Sequence, residues 1–359
     1  MVASSGPLHA LRGPESEFHP TGHSNPPLAK DSCDLIPMSS STHHPIASLL
    51  CIGFDGPEPT AFLHEALAMG VSTVILFARN VGNPSDTART CSLIREAAGR
   101  PIVISIDQEG GSSRRLVDGF SPVPSMRTLA AGGEQAVALA ARTTARELRE
   151  VGIDLDFAPV VDVDSNPGNP VIGTRSFSPD PQLVARLGAA WIRAMQSESV
   201  AACAKHFPGH GDTSQDSHFE LPVLSHGLQR LRETELPPFS AAIEAGVASI
   251  MSAHVVFEQV DPDQPATLSP TVLQEVLREE LGFEGLLVSD DLEMEAITSL
   301  MPVGEAALRA VEAGVDLLLC CHREDRQRAI LEALIGSGPS PRAARAIDRV
   351  AEFQARHAR

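Results

Sequence analysis

The 359-residue sequence has no tyrosine and a single tryptophan, Trp191, and aromatic residues make up only 4% of it. That scarcity argues against a long groove lined by stacked rings. The charge balance removes two further classes. With 28 Lys and Arg against 46 Asp and Glu the formal charge is −18, whereas nucleic acid and anionic membranes both call for a basic surface. No apolar run approaches the roughly 20 residues of a membrane span. The six cysteines (Cys33, Cys51, Cys91, Cys203, Cys320 and Cys321) form no CxxC pair. Adjacent Cys320 and Cys321 lie in the apolar run VDLLLCC and read as buried free thiols. The opening stretch MVASSGPLHALRGPESEFHP has no basic start followed by a sustained apolar segment, so no secretory leader is expected and the cytoplasm is the expected compartment.

Residues 1–45 are rich in Ser, Pro, Gly and His without apolar periodicity, which predicts a disordered extension in which Met38 offers an alternative start. From residue 46 to 359 short β-branched runs alternate with helical patterns. SLLCIGF, VSTVILF, PIVISID, IDLDFAP, VAACAKHF, ASIMSAH, GLLVSDD and VDLLLCC read as eight strands. Between them lie amphipathic segments such as AVALAARTTARELREVG, closed by Gly152, and LVARLGAAWIRAMQSESV. Eight strands alternating with helices predict one parallel α/β domain, and a TIM (β/α)8 barrel fits better than an open doubly wound sheet because no GxGxxG follows the first strand.

The polar residues reinforce the barrel. Asp107, Lys205 with His206, His254 and Asp290 close the third, fifth, sixth and seventh runs. The C-terminal ends of the strands are where a barrel builds its active site. DQEGG at 107–111, followed by Arg114 and Arg115, is either a solvated turn or a loop that holds a polar ligand. Arg175 in NPVIGTRSF is either a surface arginine or a ligand contact. Asp290 and Asp291 in LVSDDLEM are both capping residues, or else one of them faces a pocket, since adjacent strand side chains alternate.

The densest stretch is KHFPGHGDTSQDSH, residues 205–218, with three histidines and two aspartates. His206 and His210 stand four apart, but Pro208 and Gly209 exclude a regular helix between them, and there is no HExxH or Cys/His set, so a metal site is disfavoured. A phosphate loop would need GxxxxGK[ST], which is absent. General acid/base work remains. Asp216 and His218 are two apart on a loop, where a carboxylate can orient an imidazole.

These segments together resemble the family 3 glycoside hydrolases, and within them the bacterial NagZ-type β-N-acetylglucosaminidases. The similarity runs through LLCIGFDG, GVSTVILFARNVGNP, DQEGG, GIDLDFAPVVDVDSNPGNPVIGTRSF, KHFPGHGDTSQDSH, PATLSP and LVSDDLEM, about residues 46–325. KHFPGHG, four residues, then DSH is the most specific part. The resemblance implies a retaining exo-acting enzyme that removes terminal β-linked N-acetylglucosamine (GlcNAc) from muropeptides by way of a covalent intermediate. Asp290 would be the nucleophile, His218 the general acid/base and Asp216 its partner. Asp107, Arg115, Arg175, Lys205 and His206 would hold the terminal sugar. No role is carried onto Glu109 or Asp162, and His210 reads as structural. Neither a metal nor another cofactor is implied, the partner is a small glycoside, and the chain is expected to be a monomer or weak homodimer. A phosphorylase, a broader β-glucosidase and a non-catalytic sugar-binding barrel are the alternatives. In one departure, the family continues DQEGG with Arg-Val-Gln-Arg, whereas Ser112 here stands for the first arginine and Arg115 keeps the second. That change implies weaker anchoring of the loop or an altered preference beyond the scissile bond.

Overall fold

A computed structural model describes residues 43–359. The expected disordered extension (save its last three residues), Met38 and Cys33 lie outside the described residues. The described chain enters a 3-10 helix at Pro45–Leu49 and then the first of eight barrel strands: β1 (Leu50–Ile52), β2 (Thr73–Leu76), β3 (Val103–Ile106), β4 (Leu155–Asp156), β5 (Ala201–Phe207), β6 (Ser249–Ser252), β7 (Leu286–Asp291) and β8 (Leu317–Cys320). Each strand pairs in parallel with its chain neighbours, and β1 closes on β8 with Leu50 opposite Leu318. This is a closed TIM-type barrel, and all eight expected strands are in it. Most are buried along their whole length. Strands covered on both faces, by the barrel interior and the outer helices, are what unbroken apolar runs encode.

Local signals fix the helices. Asn83 accepts from the N–H groups of Ser85 and Asp86 to start Pro84–Ala98, and left-handed Gly99 ends it. Gly152, at φ 94°, closes Gly133–Val151 as expected. Trp191 is fully buried in the helix Pro181–Gln196, so the one tryptophan serves the core. Cys51, Cys91, Cys203, Cys320 and Cys321 are free and buried. No helix among the described residues is long and apolar enough to cross a membrane. A small sheet of Val223–Leu224, Val256–Phe257 and Asp261–Pro265 forms in the connections after β5 and β6. Its two-residue strands are too short to give any periodicity.

The N-terminal ends of two strands share one device. Asp154, just before β4, accepts from Ile104 N–H at 2.9 Å and pairs with Arg95 and Arg359, each at 2.7 Å. Asp316, just before β8, accepts from Leu287 N–H at 2.9 Å and pairs with Arg278 at 2.7 Å and Arg349 at 3.1 Å. Each carboxylate ties its own strand to a neighbouring one and keeps a partly buried arginine paired. Replacing Asp316 by Ala leaves the Arg278 guanidinium, 8% exposed, without its counter-ion. Chemical denaturation should show a loss of about 3–5 kcal/mol, with KM unchanged because the site lies at the other end of the barrel.

Candidate active site

The C-terminal strand ends surround a cavity of about 480 Å³ lined by residues from β2, β5, β6, β7 and β8 and by loops that follow the strands, those after β3 and β4 included. Its volume suits a small ligand. On one wall Lys205, at the end of β5, reaches Asp107 Oδ1 at 2.8 Å and Glu109 Oε1 at 2.7 Å. Glu109 in turn takes Arg175 through two bonds of 2.8 Å, and Arg115 Nη2 stands 3.5 Å from Asp107 Oδ2. Burial alone would raise the pKa of Glu109, but Arg175 and Lys205 outweigh it and hold the carboxyl well below its usual range. Burial would lower that of Lys205, and Asp107 and Glu109 reverse it, so the ammonium stays charged.

The DQEGG loop folds back as a tight turn. Gly110 and Gly111 take φ values of 104° and 59°, and Ser112 sits exposed at the tip. The turn is pinned from inside, since Gln108 Oε1 accepts from the N–H groups of Arg115 and Leu116. The anchor is therefore Gln108, beneath the turn.

The 205–218 stretch has two halves. The Lys205–His206 and Phe207–Pro208 peptides are both cis. Buried Asp162 accepts from His206 Nδ1 at 2.7 Å, from His206 N–H at 3.2 Å and from His210 N–H at 2.7 Å. That places the His206 proton on Nδ1 and turns Nε2 towards the cavity. Gly211 has no room for a side chain, because an added Cβ would lie 1.7 Å from the Val163 carbonyl oxygen. His210 is buried between Thr213 Oγ1 at 2.8 Å and Ser217 Oγ at 2.9 Å, which makes it the internal strut of the loop. Beyond it, the backbone N–H and Nδ1 of His218 both donate to Asp216 Oδ1, at 2.9 and 2.7 Å. The His218 ring is 59% exposed and lines the cavity. Asp216 stands behind it, its carboxyl lowered because hydrogen bonds from His218 outweigh the effect of burial.

Asp290 and Asp291 close β7, and both line the cavity. This corrects the expectation from strict alternation that only one of them faces the pocket. The β7–β8 register shifts between Val288 and Asp291, and the irregularity breaks the alternation. Burial pushes the pKa of Asp290 up, but His206, His254, the Asp291 N–H at 2.8 Å and Lys205 pull harder and keep it ionised. Burial, Glu293 and Asp290 instead raise Asp291 to about 7. His254 is fully buried and donates from Nε2 to the Asp291 carbonyl at 3.0 Å, supporting the strand end from below.

All eight residues singled out from the sequence lie in or directly behind this one cavity. The sequence reading gave no role to Glu109 and Asp162, which fix the geometry of three of the eight, Arg175, Lys205 and His206. It passed over Phe77, Arg79 and His322, and weighed Asp291 only as a cap or as an alternative to Asp290; all four line the cavity. DQEGG and the neighbouring aspartate carried a signal for Glu109 and Asp291, and His322, directly after the eighth apolar run VDLLLCC, carried the same strand-end signal unused. Among the described residues no three His, Cys, Asp or Glu side chains are grouped to hold a metal ion.

The model of the glycosyl hydrolase family 3 N terminal domain matches residues 46–353. The chain belongs to glycosyl hydrolase family 3. As a glycoside hydrolase of that family it is similar to a beta-hexosaminidase of Stenotrophomonas maltophilia, 42% identical over 284 residues that cover 77% of this chain and 84% of that one. A beta-hexosaminidase of Thiobacillus denitrificans is 40% identical over 282 residues, covering 77% and 78%. Among solved structures, a family 3 beta-N-acetylglucosaminidase from Paenibacillus sp. matches with a TM-score of 0.85 at 43% identity over 87% of this chain, which spans 62% of that longer protein. NagZ from Neisseria gonorrhoeae in complex with N-trifluoroacetyl-D-glucosamine matches with a TM-score of 0.72 at 32% identity, covering 87% and 99%.

Two measurements probe the geometry. Glu109→Gln weakens the hold on both Arg175 and Lys205, and steady-state kinetics should show kcat/KM falling by up to about 100-fold, the cost of a misplacement near 1 Å. Burial, and then His206, lower His210 from 6.5 to about 4, so the folded loop resists its protonation. The stability this neutral histidine contributes is complete above pH 6.5 and is lost as pH falls from 6.5 to about 4, at a total on the order of 3 kcal/mol. Thermal melts should fall more steeply across that window for the native protein than for His210→Gln.

Proposed function

We propose that the chain is a retaining exo-β-N-acetylglucosaminidase that removes terminal β-linked GlcNAc through a covalent intermediate on Asp290. The observation that carries this reading is the pairing, in one cavity, of an ionised carboxylate with a histidine whose Nδ1 is tied to a carboxylate and whose Nε2 is free. Asp290 attacks the anomeric carbon. His218, as imidazolium, donates from Nε2 to the departing oxygen, and as neutral imidazole then takes a proton from the incoming water. Asp216 orients the ring and stabilises its cationic form. Asp107, Arg115, Arg175, Lys205 and His206 hold the sugar. The beta-hexosaminidase names of the curated relatives and the N-acylated glucosamine bound to a solved relative support the choice of sugar. Muropeptide in the cytoplasm is the proposed natural source. A short cavity with few rings suits a terminal sugar better than a polymer.

A 5-fluoro or 2-deoxy-2-fluoro glycosyl substrate should leave a label on Asp290 detectable by peptide mass spectrometry; an active enzyme labelled elsewhere contradicts the assignment. His218→Ala should lose about 10²–10⁴-fold in kcat on an unactivated leaving group, the usual contribution of general acid catalysis, and much less in the first step on a dinitrophenyl glycoside. A second reading, transfer to phosphate, is favoured by the use of a histidine in place of a second anionic carboxylate. Phosphate-dependent release of GlcNAc 1-phosphate would select it.

A further inference from the structure

The cavity has two unlike walls. β3, β4 and β5 contribute the charged network of Asp107, Glu109, Lys205, His206 and Arg175. On the other side, the ends of β7 and β8, with β2 beyond β1, present Met294, Leu319, Cys321 and Phe77, and among these apolar groups one neutral donor, His322.

His322 is held from three sides. The Phe77 ring lies against it with centroids 4.8 Å apart. The Glu293 carboxylate accepts from its backbone N–H, and from Arg323 N–H at 2.9 Å. Arg79 Nη1 meets its Nδ1 at 3.1 Å. A guanidinium can only donate, so Nδ1 must accept and the ring proton sits on Nε2. Arg79 is itself fixed by bonds of 2.7 Å to the carbonyls of Phe54 and Cys321. Burial and the charge of Arg79 both lower the pKa of His322, keeping it neutral. Its Nε2 is 3.7 Å from Asp291 Oδ2, beyond hydrogen-bonding distance. A directed donor thus faces the cavity beside the residue that follows the nucleophile.

The chemistry of this wall matches an amide. The substituent one carbon from the attacked centre is the 2-acetamido group, which offers a carbonyl oxygen and a methyl. With C1 at Asp290 and the ring hydroxyls on the charged wall, the uncharged side at the β7 and β8 ends is left for that substituent. We propose that His322 recognises the 2-acetamido group, its Nε2–H donating to the amide carbonyl while the methyl lies against Phe77 and Met294. This rests on the GlcNAc reading above and names the residue that confers it.

The test is kcat/KM on matched 4-nitrophenyl β-GlcNAc and β-glucoside for the native protein, His322→Phe and His322→Gln. Phe keeps the ring packing on Phe77 but removes the donor, and Gln restores a donor. The expected result is a loss of about 10-fold or more on the GlcNAc substrate for His322→Phe, the scale of one hydrogen bond in an excluded site. The glucoside rate should be unchanged and the GlcNAc preference partly restored in His322→Gln. Because both rates come from one preparation, their ratio is independent of the folded fraction. An equal loss on both sugars, or no loss, overturns the assignment of His322. Equal rates on both sugars in the native protein overturn the GlcNAc reading itself, and this inference with it.

Discussion

Lys205 is 2% exposed, and its ammonium stays charged there because Asp107 and Glu109 lie within 2.8 and 2.7 Å. Removing a charge from water is costly unless the partners are close and their own remaining valences are met. Here Arg175 fills those of Glu109 in bidentate fashion, and Arg115 stands beside Asp107. Three cations against two carboxylates leave the wall net positive in a protein whose total charge is −18. That local excess helps keep Asp290 ionised, as the proposed nucleophilic role requires.

A second constraint is the strapping of the β4 and β5 loops to one another. Asp162 ties down His206 and His210, and Asn169 Nδ2 donates to the His210 carbonyl at 2.8 Å. Gly211 lets the two backbones touch. His210 then reaches Ser217, the residue between Asp216 and His218. His218, the proposed acid/base, is exposed, as proton exchange would require, yet its loop is fastened from within. The two ends of the barrel divide the work. Arginine–aspartate clusters before β4 and β8 hold the strands together, and the opposite end is free to carry charged groups chosen for chemistry.

The eight strands could be read from sequence because parallel strands buried on both faces are written as continuous apolar runs. One helix end could be read from Gly152, whose effect is local. Asp107, Lys205 with His206 and Asp290 were visible as polar residues ending such runs, and the Asp216–His218 pair as neighbours on one loop.

The rest depended on groups far apart in the chain. Glu109 meets Arg175 across 66 positions and Lys205 meets Asp107 across 98, so no local pattern reveals which cation neutralises which carboxylate. Asp291 faces the cavity only because the β7–β8 register slips, an effect of the partner strand. His322 becomes a directed donor only through Arg79, 243 residues away. The sequence by itself determined the barrel, the face that carries the site and the types of residue there, because periodicity and strand ends are local properties. Only the tertiary structure decided charge states, tautomers and the second wall, because these follow from distances set by closing the barrel.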